Sequence, residues 1–155
     1  MNTMTARALI IGVLIAAWAW LAGVARLQVS LWAGIVALGC FFAAGGGVLG
    51  LQKTLVAVFS GVAWVLVANA VRVAVGAHGA AWALILGAAA VGLVLQSRLP
   101  FLSFTAGAFA GAGVALGLRV NSVYDAIRAG VSLAVGALIG VAAERVAASV
   151  ATRRA

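Results

Sequence analysis

Acidic residues are almost absent from this sequence. Asp125 and Glu144 are the only two carboxylates among 155 residues. Arg128 follows Asp125 three positions later, and Arg145 is next to Glu144. General acid–base catalysis needs a positioned ionisable group with a shifted pKa, and both acids are more simply interpreted as helix-end charges, Asp125 at a helix start that favours a carboxylate. We therefore expect that the protein is not an enzyme, and that no buried carboxylate couples it to protons or cations.

Cysteine and histidine are equally scarce. Cys40 has no second cysteine in the chain with which to form a disulfide, and we interpret it as a small packing residue. His78 lies in a Gly-Ala stretch without a nearby Cys, Asp or Glu, and a single imidazole is a poor set of metal ligands. The sequence thus predicts neither a metal nor another cofactor.

Charge of either sign is rare, and its spacing is informative. The chain has 10 basic and 2 acidic residues and is 66% hydrophobic, whereas soluble domains carry about a quarter charged residues. Uncharged runs of 18, 26, 18, 25 and 20 residues separate Arg7, Arg26, Lys53, Arg72, Arg98 and Arg119. Because roughly 20 apolar residues cross a hydrocarbon core of about 30 Å, these runs predict transmembrane helices.

We predict an all-α membrane protein whose single polytopic domain covers residues 1–155. Its six spans are placed at residues 8–24, 31–50, 54–71, 79–96, 101–118 and 126–143. The basic start and the apolar stretch after it are similar to a secretory signal. Trp18 and Trp20 near the far end of that stretch, and the further spans behind it, favour a retained first helix.

The formal net charge of +8 does not indicate nucleic-acid binding. The basic residues stand singly at helix ends, where they anchor helices and set their orientation. With the N-terminus inside, the cytoplasmic side receives Arg7, Lys53, Arg98, Arg145, Arg153 and Arg154, and the outer side receives Arg26, Arg72, Arg119 and Arg128. This bias favours cytoplasmic termini, and the basic end of the chain is suited to contact anionic lipid.

Many of the 20 glycines fall inside the predicted spans. Helices in lipid associate through close packing, which small residues at four-residue spacing permit. We expect helix contacts at Gly46, Gly50, Gly107, Gly111, Gly113, Gly117, Gly136 and Gly140. Alternatively, such residues line a narrow pore, and the glycines at 45–47 unwind a helix at membrane depth.

The sequence contains an internal similarity. The segment RLQVSLWAG from Arg26 returns as RLPFLSFTAG from Arg98, and ALIIG at residues 8–12 returns as ALILG at residues 83–87. SGVAW at residues 60–64 has a weaker echo, AGVSL, at residues 129–133, about four residues out of step. We predict two halves, at about 8–76 and 79–145, with the second inverted because each has three spans. Chance similarity in a composition this simple, and a two-span parallel repeat, are the alternatives.

Polar side chains within the spans mark the candidate functional residues, because they are costly in lipid. The candidate solute path consists of Ser60, Trp64, Asn69, Ser103 and Thr105. The two serines that begin the repeated segments, Ser30 and Ser103, are predicted to act as N-caps, unless the helix starts face a solute.

The stretches SLWAGIVALGCFFA, SGVAW and LPFLSFTAGAFAGA resemble the YcdZ-like family of small bacterial inner-membrane proteins, domain-of-unknown-function family 1097. The resemblance covers about residues 18–140. It depends mainly on Trp20, Trp32, Gly34, Gly39, Cys40, Ser60, Gly61, Trp64, Phe101, Ser103, Gly107 and Gly111. The family pattern has a proline where this chain has Ala106, so a proline kink is not expected there. The resemblance implies a bacterial inner membrane and a fold, and no substrate.

Two hypotheses of function follow. The first is a homo-oligomeric channel or permease for a small neutral or weakly polar solute, with the lipid bilayer and further copies of the chain as partners. The second is a non-transporting structural or assembly subunit of a membrane complex, in which every polar group is a cap or a packing contact.

Overall fold

The structure, a computed structural model, describes residues 3–24 and 29–152, and this part of the chain is almost entirely helical. Its α-helices are α1 (Thr3–Val24), α2 (Leu31–Ala43), α3 (Gly47–Ala74), α4 (Ala80–Leu95), α5 (Thr105–Gly117) and α6 (Val123–Thr152). Two 3-10 turns, Gln96–Arg98 and Pro100–Leu102, connect α4 to α5. The all-helical prediction is confirmed, and the first, fourth and sixth predicted spans lie on α1, α4 and α6.

The predicted second span, residues 31–50, is wrong because the helix ends at Ala43. Gly45, Gly46 and Gly47 have φ angles of 98°, 68° and 64°, a region that residues with a side chain rarely adopt. The Gly46 N–H donates to the Phe41 carbonyl at 3.1 Å, as in a Schellman helix end. The three glycines therefore break the chain into two helices, and α3 begins seven residues before the predicted third span.

The predicted fifth span, residues 101–118, is also shorter in the structure. Pro100 begins a 3-10 turn, and α5 starts only at Thr105. At its other end Arg119 has a φ of 53°, and the Val120 N–H donates to the Ala115 carbonyl at 2.9 Å, a second Schellman end. As a result α2 and α5 have the same length, 13 residues each.

The packing centres on the two long helices. α5 lies along α3 and α2 lies along α6, while α3 and α6 contact each other. At the periphery α1 packs on α6 and α4 packs on α3. The largest fully buried side chains are apolar ones of this centre, Phe41, Leu133, Val58, Val114 and Val120.

The contacts also fix the relative directions of the paired helices. Gly34 lies against Gly136 and Phe41 against Gly140, so α2 and α6 run the same way. Ala57 lies against Gly107, and Asn69 bonds to Val120 just beyond α5, so α3 and α5 also run the same way.

Three helices of the described chain are long and apolar enough to cross a membrane, Gly47–Ala74, Ala80–Arg98 and Val123–Ser149. Three shorter apolar helices accompany them, Ala8–Gly23, Leu31–Ala43 and Thr105–Gly117. The outer faces are apolar as well, with Leu49, Val73 and Leu84 more than 70% exposed. Apolar surface on this scale is unsuited to water, which indicates a membrane-embedded protein.

Candidate functional site

The α3–α5 crossing brings two helix backbones into direct contact. A Cβ atom on Gly61 would overlap the Ala108 carbonyl, and one on Gly111 would overlap the Val58 backbone. A Cβ atom on Gly107 would lie 2.9 Å from the Ala57 Cβ atom. Glycine at these positions is therefore required by the close approach of the helices.

The α2–α6 crossing is equally close. A Cβ atom on Gly136 would overlap the Gly34 backbone, and one on Gly140 would overlap the Phe41 ring. Gly34 in turn accommodates the Trp18 ring of α1. The crossing thus joins α1, α2 and α6 through glycine surfaces.

The other predicted packing glycines have looser or different surroundings. A Cβ atom on Gly117 would lie 2.8 Å from the Trp32 ring, and one on Gly50 would lie 3.4 Å from the Phe41 carbonyl. Gly46 lies under the Glu144 carboxylate, 2.9 Å from Oε1. Gly113 has no described atom within 4 Å of its Cβ position, so the helix contact expected there is absent.

The search for glycine pairs at four-residue spacing missed three close contacts. Gly61 and Gly34 lie at the two crossings, and Gly92 of α4 accommodates the Trp64 ring. Each of these glycines touches its neighbour as a single residue. Gly34 and Gly61 do stand in the motifs SLWAG and SGVAW, which was the one signal available for them.

Two of the five candidate path residues are joined in one hydrogen-bond network. The Trp64 Nε1–H donates to Gln96 Oε1 at 3.0 Å, and Gln96 Nε2 donates to Ser60 Oγ at 3.0 Å. Ser60 Oγ donates to the Ala57 carbonyl at 2.7 Å. The network fastens the end of α4 to α3, and Gln96 is a member that the sequence reasoning did not find.

The remaining candidates lie elsewhere. Asn69 is buried, and its Nδ2 donates to the Val120 carbonyl at 2.6 Å. Ser103 is exposed, and its hydroxyl donates to the Pro100 carbonyl at 2.8 Å. Thr105 makes a long bond of 3.5 Å to the Ser103 carbonyl. The five side chains are therefore placed at three separate locations rather than along one helix face.

The predicted serine caps are wrong in their details. Ser30 is the N-cap residue of α2, but its side chain makes no capping hydrogen bond. Its backbone N–H donates to the Oγ of buried Ser132 at 2.9 Å. Phe104, and not Ser103, is the N-cap residue of α5, because the 3-10 turn after Pro100 delays the helix.

The two carboxylates are bound at the starts of the long helices. The Gly47 N–H at the start of α3 donates to Glu144 Oε2 at 2.7 Å. At the start of α6, Ser122 Oγ donates to Asp125 Oδ2 at 2.8 Å, and the Asp125 N–H donates to Ser122 Oγ at 3.2 Å. Both acids thus satisfy helix N-termini, where the helix dipole favours negative charge.

Two pockets open near the common end of α3, α5 and the start of α6. The first, the arginine pocket, has a volume of about 350 Å³ and is lined by Asn69, Arg72, Trp82, Ala115, Leu116, Arg119 and Asn121. The second has a volume of about 290 Å³ and is lined by Val29, Ser30, Leu118, Asp125, Arg128, Ala129 and Ser132. Asn69 is the candidate path residue that lines the arginine pocket, and within the described chain no three His, Cys, Asp or Glu residues are grouped to hold a metal ion.

Comparisons with known proteins identify a family. No curated protein and no solved structure matches the chain significantly. The model of the family described as protein of unknown function (DUF1097) matches residues 8–148, almost the whole chain. This match confirms the resemblance to domain-of-unknown-function family 1097, and the chain belongs to that family.

Proposed function

We propose that the protein consists of two inverted halves, α1–α3 and α4–α6, that together form a small permease or channel of the bacterial inner membrane. The observation that carries this proposal is a set of equivalent contacts. Gly61 of α3 approaches Ala108 of α5, and 75 and 74 residues away, respectively, Gly136 of α6 approaches Gly34 of α2. The same crossing thus occurs twice, with its partners exchanged between the halves.

Further contacts follow the same numbering. Asn69 bonds to the Val120 carbonyl; 75 residues after Asn69, Glu144 lies against Gly46, which precedes Val120 by 74 residues. Trp18 of α1 and Leu93 of α4, again 75 residues apart, are the buried hydrophobic residues of their helices. This register agrees with the ALIIG and ALILG segments and replaces the weaker SGVAW alignment.

The helix directions support inversion of the second half. α2 runs parallel to α6, and α3 runs parallel to α5, as expected if each short connection reverses the chain. Helices two and five then point in opposite directions, as do helices three and six. An inverted repeat of this kind is a recurrent plan of transporters.

We propose that all six helices cross the bilayer, with both termini in the cytoplasm. A 13-residue helix is only about 20 Å long, so α2 and α5 need their flanking segments or a locally thinned bilayer to complete the crossing. The orientation follows the basic residues. Lys53, Arg98 and Arg145 would lie inside, and Arg72, Arg119 and Arg128 would lie outside.

A cysteine-labelling experiment tests the inversion. In a Cys40→Ala background, single cysteines at Ala44, after α2, and at Asn121, after α5, should react with an impermeant maleimide from opposite sides of the membrane. Cysteine at Ser122 serves as a matched control for Asn121. Labelling of Ala44→Cys and Asn121→Cys from the same side contradicts the proposal.

The solute that fits the buried polar groups is small and neutral or weakly polar. The polar side chains along α3 are Ser60, Trp64 and Asn69, and Asn69 lines the arginine pocket at one end. The equivalent positions at the other end contain Phe41 and Phe42 in place of Ala115 and Leu116. The pocket is therefore a feature of one face, and we propose it as the solute entrance.

Solute flux into liposomes tests the transport function. Vesicles that contain the purified protein are screened with small neutral molecules and with anions, and Asn69→Leu should reduce the flux while Gly113→Ala should leave it unchanged. A flux no greater than that of empty vesicles for every solute contradicts transport.

A specific observation favours the second function, a non-transporting assembly subunit. At both crossings the helix backbones are in contact, which leaves no space for a solute between α3 and α5 or between α2 and α6. α4 also presents a broad apolar face, on which Leu84 is 75% and Val91 is 58% exposed, available to a second copy or another membrane protein. Absence of flux together with co-purification of a partner at fixed stoichiometry would favour this function.

A further inference from the structure

The arginine pocket contains two guanidinium groups that the proposed transport of a neutral solute does not explain. Arg72 lies in the last turn of α3, and Arg119 follows α5. Asn69 and Asn121 contribute amides, and Trp82 forms one wall. The lining residues include no carboxylate.

Arg72 is held in place without a hydrogen bond at its buried Nε atom. Its Cζ atom lies 5.3 Å from the centre of the Trp82 ring, a cation–π geometry. The Nε atom is inaccessible to solvent and has no hydrogen-bond partner. A buried donor of this kind is normally satisfied, which indicates a ligand that completes it.

Arg119 occupies a position that favours glycine. Its φ of 53° is the left-handed conformation of a Schellman helix end, and the equivalent residues after α2 and α3 are Gly45 and Gly76, with φ angles of 98° and 62°. A side chain at such a position destabilises the backbone. Asn121 Nδ2 donates to the Arg119 carbonyl at 2.8 Å and fixes this turn. The strained placement of an arginine where glycine fits better favours a role for its guanidinium.

The other end of the molecule provides an internal comparison. The positions equivalent to Arg72, Arg119 and Asn121 in the other half are Ala147, Gly45 and Gly47, and Phe41 replaces Ala115. The same fold therefore does not need these arginines. Asp125, which follows closely in sequence, is bonded to Ser122 and lines the second pocket.

We propose that the arginine pocket binds an oxyanion, a phosphate group held between Arg72 and Arg119. Guanidinium groups bind phosphate oxygens through paired, charge-assisted hydrogen bonds, and the Arg72 Nε–H is available for one of them. A volume of about 350 Å³ is within the range of small-molecule sites and leaves room for an organic group beside Trp82. The phosphate belongs either to a soluble ester or to a lipid headgroup, since arginine and tryptophan at a helix end also suit the membrane interface. The site stands whether or not the protein transports a solute.

Binding is tested on the full chain purified in maltoside detergent, which contains no phosphate. In one arm inorganic phosphate is titrated at constant ionic strength, and in the other short-chain phosphatidylglycerol or phosphatidylcholine is added and the bound lipid is counted by native mass spectrometry. The variants are Arg72→Gln and Arg119→Gly, with Arg98→Gln, outside the pocket, as the matched control. Arg119→Gly suits the left-handed turn, so it should fold with an unchanged or higher Tm.

The expected result is binding in at least one arm by the wild type and Arg98→Gln, weakened at least about tenfold in Arg72→Gln and in Arg119→Gly. Binding in the phosphate arm alone assigns a soluble anion, and binding in the lipid arm alone assigns a headgroup. Absence of binding in both arms, or equal binding by folded Arg119→Gly, Arg98→Gln and wild type, overturns the proposal. Flux measured on the same variants separates this outcome from failure of the transport function.

Discussion

Replacement of Gly111 by alanine should destabilise the fold far more than the size of a methyl group suggests. The new Cβ atom would overlap the Val58 backbone of α3, and backbone cannot move aside as a flexible side chain can. α5 would have to shift away from α3, which opens the contacts of Val58, Val62, Ala108 and Ala112 in the buried core.

The magnitude follows from overpacking. Extra methyl groups in a packed core cost about 1–3 kcal/mol, and contact with backbone places Gly111→Ala at the upper end, about 3 kcal/mol. For a chain of this size each kcal/mol lowers the Tm by roughly 2–4 °C, so a decrease of roughly 6–12 °C is expected. Gly111→Leu should in addition lower the yield of folded protein in detergent.

Gly113 provides the matched control on the same helix. Its Cβ position faces open space, and alanine favours a helix over glycine by about 1 kcal/mol, so Gly113→Ala should be neutral or stabilising. Thermal unfolding in detergent, followed by helical circular dichroism, measures both variants. If Gly111→Ala and Gly113→Ala melt at the same temperature, the close α3–α5 contact does not exist.

Three further predictions concern the other contacts. Gly136→Ala should lower the Tm about as much as Gly111→Ala, because it meets the Gly34 backbone, whereas Gly39→Ala, whose Cβ position is open, should not; equal melting of the two would contradict the equivalence of the crossings. Glu144→Ala should cost about 1 kcal/mol through loss of the bond to the Gly47 N–H, and Arg145→Ala should not, as measured by thermal unfolding; an unchanged Tm in Glu144→Ala would show that the bond contributes nothing. Trp64→Phe removes the bond to Gln96 and should cost about 1 kcal/mol, while the double variant with Gln96→Ala should lose less than the sum of the single losses; strict additivity would show that the two side chains act separately.

The position of the helix breaks matters for function. A single helix over residues 31–50 would have crossed the bilayer as an ordinary span. The break at residues 44–46 instead shortens α2 and allows α3 to begin beside Glu144. The same shortening of α5 exposes Arg119 at a helix end next to Arg72, and this geometry creates the arginine pocket.

The sequence by itself determined the class of the protein. Charge-free runs of about 20 residues can be satisfied only as helices in lipid, since every backbone polar group bonds within the helix. The family followed from local motifs such as SLWAG and SGVAW. The interpretation of Asp125 and Glu144 as helix-end charges agrees with their hydrogen bonds at the starts of α6 and α3.

Only the tertiary structure decided which small residues and which polar residues meet. Four-residue spacing identified Gly107 and Gly111 but also Gly113, because a helix in lipid is apolar on all faces and its sequence does not distinguish the packed face from the lipid-facing one. The Ser60–Gln96–Trp64 network and the Arg72–Arg119 pocket join residues of different helices that are far apart in the chain. Their proximity depends on how closely glycine allows two backbones to approach, and this distance is a property of the assembled helices.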